Sequence, residues 1–190
     1  MTNDRPILGI LLLDTTFPRI PGDIGNEASY PFPVVIRKVT GATVQRVIFQ
    51  PDSSLKALFT EAAIKLAEEG VAALTSSCGF LSPLQKDIAA AVNIPVFLSS
   101  LIQVPLIYGM TQRPVGIITA NAQKLTDLVL ESAGITSKIP VHIVGMEEVP
   151  AFREPVLFNG SQLDFKRIQD AMVKKALGLL QLDPTIGSFI

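Results

Sequence analysis

Short apolar runs alternate with longer amphipathic ones along this chain. Residues 7–13 are almost continuously apolar, the mark of a strand buried on both faces, and they end at Asp14-Thr15-Thr16. A polar loop rich in Pro and Gly follows, residues 17–26, and ordered loops of that length are often functional. Residues 33–39 read as a short helix and residues 43–49 as a second strand. Residues 53–69 read as a helix, with Leu55, Leu58, Phe59, Ala62 and Leu66 on its apolar face. A third strand, residues 71–76, breaks into the small polar turn Ser77-Cys78-Gly79. Ser82-Pro83 reads as an N-cap and first helical position for a helix over 84–92, and residues 95–98 as a fourth strand.

The pattern then restarts. Residues 114–121 echo residues 8–14: in each, a Gly is followed five positions later by a polar residue, Asp14 or Asn121, at the carboxyl end of a strand. A helix over 122–133, a strand over 141–144, a loop holding Glu147, Glu148 and Arg153, a helix over 162–180 and a strand over 186–190 complete the series. Alternating strands and helices predict the α/β class with parallel sheets. The restart divides the chain into two pseudo-symmetric lobes, each a mostly parallel sheet flanked by helices. The first, residues 1–110, carries Cys78; the second is residues 111–190. Ligands of such sheets bind outside the carboxyl ends of the strands. Polar residues gather there at 14–16, 75–79 and 119–121, so an active site between the lobes is expected. The offset from Gly9 to Cys78, applied from Gly116, lands beside residues 186–190. The counterpart of Cys78 therefore falls at or just past Ile190, and the second lobe reads as incomplete, because a domain rarely stops inside a buried apolar strand.

Composition narrows the classes. Of 190 residues 48% are apolar, enough for a dry core, and the net charge of -1 carries no long run of one sign. That gives no footprint for nucleic acid or an anionic membrane. No stretch approaches the ~18–20 apolar residues of a membrane helix, and Met1-Thr2-Asn3-Asp4-Arg5 leads straight into a strand without a signal segment. A single Cys excludes an internal disulfide and suits a reducing compartment, so a cytoplasmic location is expected. One His and one Cys, with no carboxylate cluster at ligand spacing, argue against a metal site. Residues 116–121 lack the spacing of a dinucleotide fingerprint.

Cys78 is the chief chemical candidate. It sits on a strand-to-helix turn, where backbone N–H groups and a helix dipole bind anions and favour a thiolate. The competing reading of the residues alone is a small buried hydrophobe. Asp14 reads equally as a turn cap or a substrate contact, and Asp23 and Asn26 as loop-shaping residues. His142, inside a strand, reads as structural.

The Gly-Ile-Leu-Leu-Leu-Asp14-Thr opening, the Phe-Pro-Arg-Ile-Pro-Gly-Asp23-Ile-Gly-Asn26 loop, the Ser-Ser-Cys78-Gly turn and the Gly-Ile-Ile-Thr119-Ala-Asn121 restart resemble the aspartate/glutamate racemase superfamily. That group includes amino-acid and hydantoin racemases, maleate isomerases and arylmalonate decarboxylases. The resemblance implies cofactor-independent racemisation or epimerisation of a small amino acid or related carboxylate. Cys78 would abstract the proton next to the carboxylate. It implies a second cysteine from the other half, which these residues do not contain. It places Asp14, Asn26, Ser77, Gly79, Phe80, Thr119 and Asn121 around the substrate, and implies a homo-oligomer whose interface no stripe in the chain fixes. Two alternatives stand beside it: a decarboxylase or cis–trans isomerase of a small dicarboxylic acid, and a non-catalytic ligand-binding relative.

Overall fold

In the computed structural model, residues 5–190 are described; the opening Met1-Thr2-Asn3-Asp4, read above as leading into the first strand, lies outside them. The chain divides into two compact units, Met1–Ser99 and Ser100–Ile190.

The first unit is built on β1, Leu8–Leu13, whose Ile10 and Leu11 are wholly buried. Its parallel neighbours are β2, Val34–Val39, on one side and β3, Ala73–Ser76, on the other, with β4, Val96–Phe97, beyond β3. Leu8 pairs with Val34 and Ala73, and Leu11 with Arg37 and Ser76. Helix α1, Ser54–Glu68, buries Leu55, Phe59, Ala63 and Leu66, a spacing that keeps one stripe on the core. Helix α2, Gln85–Ala91, adds Ile88. Gly9 is the point of closest packing: a Cβ there would stand 2.7 Å from the Leu74 side chain and 3.3 Å from that of Leu66.

Two sequence expectations are reversed here. Residues 33–39 form a strand, not a helix. Residues 43–49 form a helical turn, not a strand. The β-branched run Val34-Val35-Ile36 pairs residue for residue with β1, which suits stiff side chains on a pleated surface. Gly41, at φ +80°, then turns the chain, a conformation favoured by the lack of a Cβ. Thr43 starts the helical turn: its hydroxyl accepts from the Arg46 N–H at 3.3 Å and its carbonyl from the Val47 N–H at 2.9 Å. The π-helical turn Gln45–Phe49 closes just ahead of Pro51.

The second unit repeats the scheme. Helix α3, Gln103–Thr111, leads to β5, Val115–Thr119, the centre of a parallel sheet in the order β6-β5-β7. The 3-10 turn Ala122–Lys124 and helix α4, Asp127–Ser132, stand where one helix was expected. Strand β6 is Val141–Gly145. Of the expected loop after it, Glu147 and Glu148 lie in a turn, whereas Arg153 is in helical structure, α5, Pro150–Phe152, running into the turn Arg153–Leu157. Helix α6 is Phe165–Leu182 and β7 is Ser188–Phe189. Gly116 plays the part of Gly9: a Cβ there would meet the Phe189 ring at 2.4 Å. Among the described residues no helix is long and apolar enough to cross a membrane.

Candidate active site

Cys78 follows β3 directly. Pairing with β1 continues past the end of the strand, the Ser77 N–H donating to the Leu11 carbonyl at 3.0 Å. The Ser77 hydroxyl accepts from the Leu13 N–H at 3.4 Å. The Ser76 hydroxyl donates to the Leu98 carbonyl and accepts from the Cys78 N–H at 3.4 Å, fixing the turn from beneath. Cys78 itself is extended, φ −140° and ψ 117°, and the chain enters a helix at once, as the 3-10 turn Gly79–Leu84 running into α2. The helix thus starts at the cysteine, four residues earlier than the Ser82-Pro83 signal suggests, and Pro83 falls inside the turn. The Gly79 carbonyl accepts from the Ser99 hydroxyl at 2.7 Å.

The expected thiolate is not the resting form. Cys78 is only 9% exposed, and burial pushes its thiol from an ordinary 9.0 up to about 11. Two groups oppose burial, the Phe80 N–H directed at the sulfur and the charge of Arg19, and they do not overcome it. Turn geometry supplies anion-favouring dipoles, but desolvation of a sulfur anion is the larger effect here.

The loop after β1 brings Arg19 to this end of the sheet. Its Nη1 donates to Asp23 Oδ1 at 3.0 Å and its Nη2 to the Thr15 hydroxyl at 2.9 Å. The guanidinium carbon lies 4.0 Å from the centre of the Phe17 ring. Its Nε is buried and has no hydrogen-bond acceptor among the described residues. Thr15, itself buried, donates to the Leu13 carbonyl at 3.3 Å, and its own carbonyl accepts from Lys38 Nζ at 2.7 Å.

Two predicted site residues are occupied with the loops. Asp14 Oδ2 accepts from the Gly41 N–H at 2.9 Å, tying the end of β1 to the turn after β2. Asn26 donates through Nδ2 to the Arg19 carbonyl at 2.7 Å and accepts through Oδ1 from the Ala28 N–H at 2.8 Å. Ser77, Gly79 and Phe80 surround Cys78 as described. In the second unit, the Thr119 carbonyl accepts from the Met146 N–H at 2.9 Å, and buried Asn121 caps the turn Ala122–Lys124 through the Lys124 N–H at 3.1 Å. Glu147 joins them, its Oε1 accepting from the Ala122 N–H at 3.0 Å, while its Oε2 is buried without a hydrogen-bond partner.

Sequence reasoning noticed Arg19 only as a letter of a loop motif and Glu147 only as part of a loop. The i,i+4 spacing of Arg19 and Asp23 was a readable signal for the ion pair. Nothing in the sequence places Arg19 beside Thr15 or Glu147 beside Ala122.

No family model matches the chain. It is 31% identical over 182 residues to a dimethylsulfoniopropionate lyase of Emiliania huxleyi (strain CCMP1516), a match covering 91% of this chain and 46% of that protein. A second enzyme of that name from the same organism is 32% identical, covering 91% of this chain and 52% of the relative. One from Durusdinium sp. clade D is 29% identical, covering 96% and 63%. The chain spans about half the length of the Emiliania relatives it matches. These names overturn the racemase expectation: the curated relatives are lyases, a class nearer to the decarboxylase alternative. Among solved structures, an arylmalonate decarboxylase variant in liganded form aligns with TM-score 0.59 at 14% identity, over 97% of this chain and 76% of its own. An aspartate racemase homologue from Pyrococcus horikoshii OT3 aligns with TM-score 0.55 at 14% identity, over 96% and 82%. The parallel sheets flanked by helices are the fold this chain shares with that decarboxylase and that aspartate racemase homologue.

Proposed function

We propose that this chain belongs to a lyase that splits dimethylsulfoniopropionate, or a closely related sulfonio carboxylate, with Cys78 as the base. The observation that carries this reading is the similarity to lyases of that name over nine-tenths of the chain.

The chemistry fits a single thiol. The substrate is a propionate bearing a cationic sulfonium on the carbon β to its carboxylate. The leaving group departs as a neutral thioether and needs no acid to protonate it. The difficult step is removal of the weakly acidic α-proton. A positioned base must take it, and fixed donors must hold the carboxylate as negative charge moves onto it. The Cys78 thiol first gives its proton to water; the thiolate so formed accepts the α-proton, that C–H electron pair becomes the new carbon–carbon double bond, and the carbon–sulfur bond breaks with its pair leaving on the substrate's sulfur. The products are acrylate, dimethyl sulfide and a protonated Cys78. Racemisation, by contrast, needs a second donor on the opposite face. The one cysteine among these 190 residues is enough for elimination. Ser77, Gly79 and Phe80, which flank the sulfur, are the groups we assign to the substrate carboxylate.

The test is release of dimethyl sulfide from dimethylsulfoniopropionate by the protein that contains this chain. Cys78→Ala is expected to lower release by at least about a hundredfold, the usual scale of a lost general base, with the fold intact by circular dichroism. A wild-type protein that releases none, or a Cys78→Ala variant as active as wild type, overturns the reading.

A further inference from the structure

Cys78 needs something to bear its charge once the proton has left, and the positive charge of Arg19, held at the same end of the sheet, favours that ionisation. Hydrogen bonds tie the loop of Arg19 to the turn of Cys78 through the end of β1. Ser77, next to Cys78, accepts from the Leu13 N–H; the Leu13 carbonyl accepts from Thr15; and the Thr15 hydroxyl accepts from Arg19 Nη2. The guanidinium is pinned on its other sides by Asp23 and by the face of Phe17. Both Nη atoms are engaged, whereas Nε is buried and idle. A buried charged donor with no acceptor among the described residues is costly and calls for an explanation. An arginine wanted only as a loop staple has no use for such a donor.

We propose that Arg19 is a positioning residue for Cys78, a braced cation that holds the sulfur as an anion during proton abstraction. The inference rests on the reading of Cys78 as the base. The other charges at this end of the sheet are Asp23, paired to Arg19, Asp14, bound to the Gly41 N–H, Lys38, bound to the Thr15 carbonyl, and Arg46, bound to the Gly41 carbonyl and paired to Asp52. The turn Gly79–Leu84 carries none. Asp23 therefore sets how much of the Arg19 charge the sulfur feels.

This arrangement makes two substitutions act in opposite directions. In Arg19→Gln the thiol should titrate higher, and alkylation by iodoacetamide at a fixed pH below the midpoint should slow about tenfold, the equivalent of one pKa unit. In Asp23→Asn the cation is unopposed, so the thiol should titrate lower and alkylate faster. Arg19→Lys keeps the charge and should stay close to wild type, which also covers the case in which Arg19→Gln does not fold. The readout is the ultraviolet absorbance of the thiolate against pH, with alkylation rate as the second measure. A role confined to bracing the loop predicts that both Arg19→Gln and Asp23→Asn loosen the packing, wet the sulfur and lower its titration together. That result, or wild-type titration in all three variants, overturns the proposal. The titration uses no substrate, so the two readings fail separately. Opposite shifts without dimethyl sulfide release would sink the lyase and leave Arg19 standing. Unshifted titration with release abolished in Cys78→Ala would do the reverse.

Discussion

At the scale of single residues, Cys78 shows two environments in competition. The turn offers an N–H and a nearby guanidinium, both favouring an anion, while the packing leaves the residue 9% exposed. Desolvation dominates, so the iodoacetamide rate of the folded protein should climb about tenfold per pH unit above neutrality and bend only near pH 11. A bend near 9.0, the ordinary thiol value, would mean that water reaches the sulfur. Asp14 allows a second check. Its carboxylate holds the Gly41 N–H, so Asp14→Ala should lower stability in urea by about 1.5–3 kcal/mol, the range for a hydrogen bond to a charged group. Asp14→Asn, which keeps an acceptor, should lose much less. The place of Cys78 was legible, because a short apolar run ending in small residues and Gly leaves few alternatives to a strand-end turn. Its protonation was not, because burial depends on residues distant in sequence that fold over it. Arg19 was hidden for the same reason: its link to Thr15 exists only once the loop has doubled back onto β1.

At the scale of elements, the exchange of β2 and the helical turn after it shows where periodicity fails. Residues 33–39 and 43–49 are both short and mostly apolar, and a run of that length fits either period. What separates them is chemistry at their ends: prolines before the first, and Thr43 before the second as a cap. The centre strands were read correctly because continuous apolar runs with Gly near the start have one good use, a strand covered on both faces. The glycines themselves report how tightly the third strand packs. A Cβ on Gly116 would press into the Phe189 ring at 2.4 Å, so Gly116→Ala should destabilise by about 1–3 kcal/mol in urea melts, the cost of overpacking. In a Phe189→Ala background the same Gly116→Ala change should cost less, since the ring it presses against is gone. Equal losses with and without Phe189 would show that the strain lies elsewhere.

At the scale of the whole molecule, the two units share a plan but carry different titrating groups. In the first, the Cys78 thiol is raised to about 11 from 9.0. A group held in its neutral form by folding contributes stability that is complete below the unfolded value and is lost as pH rises through the folded one. Wild type should therefore lose about 3 kcal/mol between pH 9.0 and 11 that Cys78→Ala does not lose. The substitution itself adds a constant offset for the emptied volume. In the second unit, His142, read from sequence as structural, does anchor a connection. Its Nε2 meets Asp183 Oδ2 at 2.8 Å, joining β6 to the segment between α6 and β7. The Thr185 hydroxyl and N–H, with His142, hold the Asp183 carboxyl below its usual range. Here the sign is opposite. A depressed carboxyl contributes stability that is present above the unfolded value of 3.8 and is lost as pH falls through the folded one. Urea melts across pH should thus show two independent arms. Cys78→Ala should shrink the alkaline arm, to which Tyr30 also contributes, and leave the acid arm, while Asp183→Asn should shrink the acid arm, to which Asp52 and Glu61 also contribute, and leave the alkaline one. If either substitution altered both arms equally, Cys78 and Asp183 would not be separate contributors to the two arms.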